Sequence, residues 1–165
     1  MRKRISDFFQ NINPVILILL VIMAAESIME NQMSVGEWFY TKLLILPGII
    51  IGLSFHEAAH ALVSYKLGDP TPKMQGRVTL NPLAHIDPVG FLTLLFIGFG
   101  WGVPVEIDPR YYKNRRSGEL LVSLAGVATN LLLAVVFALL VRFAADHMSY
   151  DFYQGAGQIL LQLLL

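Results

Sequence analysis

The sequence predicts an all-α polytopic membrane protein, a transmembrane helix bundle with a re-entrant, β-hairpin-like loop segment between its second span and the next. Three observations predict it. Apolar residues make up 55% of the chain and fall in long runs, only 15% are charged against roughly 25% in soluble domains, and the mean hydropathy is +0.59. The 165 residues are read as one membrane-embedded domain, with the lipid bilayer as its first partner. Twelve basic and twelve acidic residues cancel, which leaves no net field to recruit nucleic acid. Cysteine is absent, so any metal must be held by His, Asp or Glu.

The first span is expected over about 14–33. Pro14 after Asn13 suits a first helical turn, and an apolar run follows to Ala25. A signal peptide is the competing reading, because "MRKR" precedes a short apolar core that ends in "MAAES". The second span is expected over about 42–67, long enough at 1.5 Å per residue to cross a hydrocarbon core of about 30 Å. Gly68 and Lys66 mark its end, and Pro47, Gly48 and Gly52 mark a kink or a close helix contact near its start.

Residues 69–89 carry four prolines, at 70, 72, 82 and 88, and exclude a long helix. A short strand over "GRVTL", 76–80, fits instead. The run from Phe91 to Phe99 is apolar but too short to span. With "GFGWGVP" behind it, the region of about 74–102 reads as a re-entrant segment, which is tolerated at depth when buried in protein or lining a wet cavity. The third span is expected over about 117–142, capped by Ser117. A further helix starts near 156 and stops within about ten residues at Leu165, the pattern of a chain truncated at its C-terminus or completed by a partner.

Charge sets an expected orientation. Arg2, Lys3, Arg4, Lys66, Lys73, Arg77, Arg110, Lys113, Arg115 and Arg116 fall on one side of these spans, against Lys42 and Arg142 on the other. The N-terminus and the 68–116 region are therefore expected in the cytoplasm of a multi-pass protein of the cell membrane.

Within the second span lies "FHEAAH". His56 and His60, four apart on a helix, point the same way one turn apart and can hold one Zn²⁺ between them. Glu57, on the adjoining face, is placed to take a proton from an attacking water. The bland alternative is two core histidines hydrogen-bonded across a bundle. Against it stands the expense of ionisable groups in a spanning helix, roughly 2.5–3.5 kcal/mol each. His56 also sits about 15 Å along the helix from Lys66, which places the site inside the bilayer. An enzyme acting on other membrane helices has a reason to carry its motif at that depth.

Taken with "LNPLAHIDPVG", "GWGVPVEIDPR" and "LAGVATN", the "FHEAAH" motif resembles the site-2 proteases, zinc metalloproteases that cut within the membrane. The resemblance runs from about Leu44 to Val141 and is nearest to the small branch without a PDZ domain. It implies His56 and His60 as zinc ligands, Glu57 as general base, and transmembrane proteins as substrates in regulated intramembrane proteolysis. It also implies that Asn130 positions substrate or the developing oxyanion, although Val127 stands where the family usually has proline.

A catalytic zinc normally has three protein ligands and a water. The family's third ligand is an aspartate in a later Asp-Gly motif that these residues lack, so the third ligand is expected beyond Leu165. His85 and Asp87 are weaker in-chain candidates, set against a turn at Asp87-Pro88 and a backbone-capping His85. Glu106 and Asp108 read as solvated loop residues, and His147 as surface. The 76–80 strand edge is expected to hold an unwound substrate by β-addition. Two other classes fit the same residues: a membrane metal-binding or transport protein, and a catalytically inactive or incomplete scaffold.

Overall fold

The structure is a computed structural model, and it describes residues 14–98 and 100–147. The helix expected from about residue 156 and the basic N-terminal residues lie outside the described residues. Among the described residues there are five α-helices: α1 (Pro14–Glu30), α2 (Val35–Lys66), α3 (Thr71–Met74), α4 (Pro88–Ile97) and α5 (Arg115–His147), with 3₁₀ turns at Pro82–Ala84 and Pro109–Tyr111. Among the described residues there is no strand. Residues 76–80 are turn and bend, and the hairpin-like element reduces to an isolated antiparallel bridge between Ile86 and Gly102.

The chain divides into two compact units. Of the described residues, the first joins 14–42 with 87–98 and 100–101. Helix α1 closes where Gln32, at φ +51°, adopts the left-handed conformation, and the Met33 N–H reaches the Ile28 carbonyl. Two residues on, Ser34 and Glu37 cap α2 reciprocally. The Ser34 N–H donates to Glu37 Oε2 at 2.7 Å and the Glu37 N–H to Ser34 Oγ at 3.2 Å. This capping box starts α2 seven residues earlier than expected. Trp38, 3% exposed, anchors the unit: its ring packs on Phe39 and Phe96, and its Nε1–H donates to Ser27 Oγ. The Asp87 carboxylate caps α4 by accepting the Gly90 N–H at 2.8 Å, with Pro88 in the first turn. What was expected as part of a re-entrant loop thus contains a ten-residue helix.

Of the described residues, the second unit holds 43–86 and 102–147. Helix α2 runs through Pro47 and ends before Gly68, whose φ of +106° disfavours any side chain. Helix α5 starts at Arg115, where Asn114 Oδ1 accepts the Ser117 N–H, so Asn114 rather than Ser117 caps it, and it continues five residues past the expected end. Among the described residues α2 and α5, with 32 and 33 residues, are long and apolar enough to cross a membrane. Large apolar side chains stand exposed along α5, among them Leu124, Leu131, Leu132, Val135 and Leu139, a surface suited to lipid. The chain is accordingly membrane-associated. Helix α1 has 17 residues, about 25 Å, and ends three residues short of the expected span.

A buried polar knot ties the second unit together. Asp69, with no exposed surface, accepts from Ser64 Oγ at 2.8 Å, the Thr71 N–H at 2.9 Å and the Asp108 N–H at 2.7 Å. Ser64 gives its single proton to Asp69, so the Tyr112 hydroxyl donates to Ser64 at 2.8 Å. The end of α2 is thereby clamped to the loops that enter α3 and α5. Burial alone would raise the Asp69 pKa, but the hydrogen bonds from Thr71, Asp108 and Ser64 outweigh it and hold the group below its ordinary value. A depressed carboxylate pKa contributes stability above the unfolded value of about 3.9 and loses it as pH falls through the folded value. Asp69→Asn, which turns an N–H toward these donors, is expected to lower stability at neutral pH by roughly 2–3 kcal/mol. Thermal unfolding in detergent should show that deficit narrowing in acid.

Candidate metal centre

Helix α2 sets His56 and His60 one turn apart on one face, with ring centroids 4.7 Å apart and planes at 78°. Facing them is a stripe of α5 residues at the same four-residue spacing: Val122, Gly126 and Asn130. His60 Nδ1 lies 2.6 Å from the Val122 carbonyl. A carbonyl only accepts, so Nδ1 carries the proton and Nε2 keeps its lone pair. Asn130 sits at the other end of the stripe, its amide 3.2 Å from His56 Nδ1.

Between them Gly126 supplies the opening. A Cβ built there would lie 2.5 Å from His56 Nε2 and 2.5 Å from His60 Nε2. Both nitrogens therefore border one small volume that exists because residue 126 has no side chain. Two imidazole nitrogens bordering a common space are donors of the kind that zinc takes. A glycine in the middle of α5 costs about 1 kcal/mol of helix propensity relative to alanine, and this close approach is what it permits.

Glu57 and His60 line a cleft of about 280 Å³ whose other walls are Pro104, Val105, Ile107, Val122 and Ser123. The non-helical 104–107 segment thus lines the same cleft as Glu57 and His60. Asp87 is engaged at the α4 N-terminus. His85 is fully buried, donates from Nε2 to the Thr79 carbonyl at 2.8 Å, and leaves Nδ1 without a partner. Among the described residues no group of three His, Asp or Glu side chains converges as a metal site. This region thus contributes two imidazoles and a carboxylate. Glu106 is exposed beside Gln75, Asp108 pairs with Arg110, and His147 is exposed on the last turn of α5. The sequence reading passed over Val122 and Gly126, which act through a backbone carbonyl and an absent side chain; the mid-helix glycine four residues before Asn130 was the available signal.

His56, Glu57 and His60 form an HExxH motif on α2, the pattern of a metalloprotease helix. A Bacillus subtilis protein named "Putative zinc metalloprotease YwhC" is 46% identical over 114 residues, covering 66% of this chain and 52% of that protein. Proteins of the same description named Rip2 match at 29% identity in Mycolicibacterium smegmatis, over 87% of this chain and 58% of the relative, and at 31% in Mycobacterium tuberculosis, over 70% and 46%. The chain spans about half the length of the curated relatives it matches. No family model matches the chain, and no solved structure does. These relatives belong to the site-2 protease family of zinc metalloproteases, and the chain is similar to them over 66–87% of its length.

Proposed function

We propose that the protein is an intramembrane zinc metalloprotease that hydrolyses peptide bonds in or near the transmembrane helices of membrane-protein substrates. The observation that carries this reading is the placement of His56 Nε2 and His60 Nε2 around the gap over Gly126, on two helices long and apolar enough to span a bilayer. His56 lies ten residues from Lys66, about 15 Å below the helix end that we assign to the cytoplasm from the basic residues of the 68–116 region.

His56 and His60 would hold the ion, with the further protein ligand supplied by residues outside those described. When bound there, Zn²⁺ supplies a Lewis acid and a water of lowered pKa. Glu57 removes the proton of the attacking water and returns it to the departing amine, so the carboxylate ends the cycle as it began. Pro104, Val105 and Ile107 confine the substrate backbone beside Glu57, and the apolar walls limit bulk water to the cleft. A substrate helix hides its carbonyls in its own hydrogen bonds, so it must unwind locally before one can enter.

Reconstitution tests this. Full-length protein in liposomes with a single-span substrate should produce two fragments, stop after chelation, and resume when zinc is restored. His60→Ala should remove both cleavage and zinc. Metal flux across the vesicle without cleavage would mark a transporter, and substrate retention without fragments a scaffold; either would contradict the proposal.

A further inference from the structure

The cleft beside Glu57 and His60 has two unlike walls. One is the non-helical segment 103–108, held at both ends: the Val103 N–H donates to the His85 carbonyl and the Asp108 N–H to Asp69 Oδ2, each at 2.7 Å. Between those two bonds its main chain takes no other hydrogen bond among the described residues, and Pro104, Val105 and Ile107 line the cleft. The other wall is α5, through Val122 and Ser123. Neighbours on a helix stand about 100° apart around its axis, so Val122 is buried while Ser123 remains exposed at the cleft. The Ser123 hydroxyl donates its single proton to the Glu119 carbonyl one turn back, at 2.8 Å. What remains on Oγ is acceptor capacity alone.

Of the other polar side chains on the cleft, Glu57 is assigned to proton transfer and His60 to zinc; the rest of the lining side chains are apolar. A peptide that enters a gap of about 280 Å³ does so as a single unwound strand, because an intact helix is about 10–12 Å across. Unwinding strips the N–H groups of that strand of their own carbonyl partners, and a buried N–H left without an acceptor is expensive. We propose that Ser123 is a substrate-binding residue: its Oγ accepts one backbone N–H of the unwound segment beside the scissile bond. This rests on the protease reading above and deepens it, by naming the substrate group that the α5 wall takes. That group is a backbone amide, so this contact holds the strand in register whatever its side chains are.

A synthetic single-span peptide cleaved by the full-length protein in detergent supplies the test. Each backbone amide flanking the scissile bond is replaced in turn by an ester, which removes one N–H. With the wild-type protein, one ester position should raise KM by about 3–10-fold, the range of a single hydrogen bond. Ser123→Ala should raise KM for the all-amide peptide by a similar factor, with kcat and zinc content near their wild-type values, and should be insensitive to the ester at that one position. Alanine is the residue best suited to a helix interior, so α5 keeps its form. An unchanged KM in Ser123→Ala, or no ester position that separates the two proteins, would overturn the proposal. So would loss of zinc or of kcat in Ser123→Ala at constant KM, which marks a role in seating α5 and not in holding substrate. His60→Ala measured alongside reports on the underlying reading: if it cleaves the all-amide peptide as wild type does, that reading fails, whatever Ser123→Ala does.

Discussion

Glu57→Gln should bind zinc as the wild-type protein does and hydrolyse substrate slower by roughly 10³-fold or more. The two residues are nearly isosteric, and Glu57 is the member of the motif assigned to proton transfer rather than to metal holding. General acid–base catalysis by a positioned side chain is worth about 10²–10⁴-fold. Here one carboxylate serves both the attack and the departure, so its loss should fall toward the upper end. The amide cannot take a proton at neutral pH, yet it still fills its side of the cleft shared with His60 and Ile107, and substrate binding should change little. The signature is a fall in kcat with KM near its original value, read together with an unchanged zinc content. Zinc loss in this variant would make Glu57 part of the metal-holding set instead.

Gly126→Ala is expected to act in the reverse sense, on the metal and not on the proton. The added methyl would stand 2.5 Å from Nε2 of both histidines, closer than any real contact of that kind. The rings must swing aside, and with them goes the space the two nitrogens share. Zinc affinity should fall by more than the roughly 10–100-fold typical of changes around a metal's ligands. Alanine in the middle of a helix is meanwhile favoured over glycine by about 1 kcal/mol, so α5 itself should not be weakened. A folded protein with low zinc and no cleavage is the expected combination, the gain in helix propensity offsetting part of the overpacking cost of about 1–3 kcal/mol. Wild-type zinc affinity would mean that the imidazoles meet their ligand away from α5.

The parts of this molecule that obey periodicity were legible from the residues alone. The long helix carrying His56 and His60, its end at Gly68 and the long apolar α5 all follow from runs that satisfy every backbone group internally, the one solution a bilayer accepts for a span. Local chemistry moved the boundaries. The Ser34–Glu37 capping box extends α2 backward across residues that look like a loop, and Asn114 captures the α5 N-terminus ahead of Ser117. The strand expected over 76–80 does not form. Arg77, which an extended strand would point outward, instead donates to the Ala84 carbonyl, and the His85 ring takes up the Thr79 carbonyl that a ladder would have used. Long-range pairings carry no local signal, so the Asp108 and Tyr112 partners of the Asp69–Ser64 pair were invisible beforehand. In the site, the motif pointed to His56, Glu57 and His60, while Val122 and Gly126 emerge only when α5 lies against α2.

The whole account turns on one ion bound between two rings. Stripped of metal and titrated with zinc in detergent, the full-length protein should take up one ion per chain at the tight site, and the His56→Ala/His60→Ala double variant none. An equal stoichiometry in the double variant, or no tight zinc in the wild type, would contradict it.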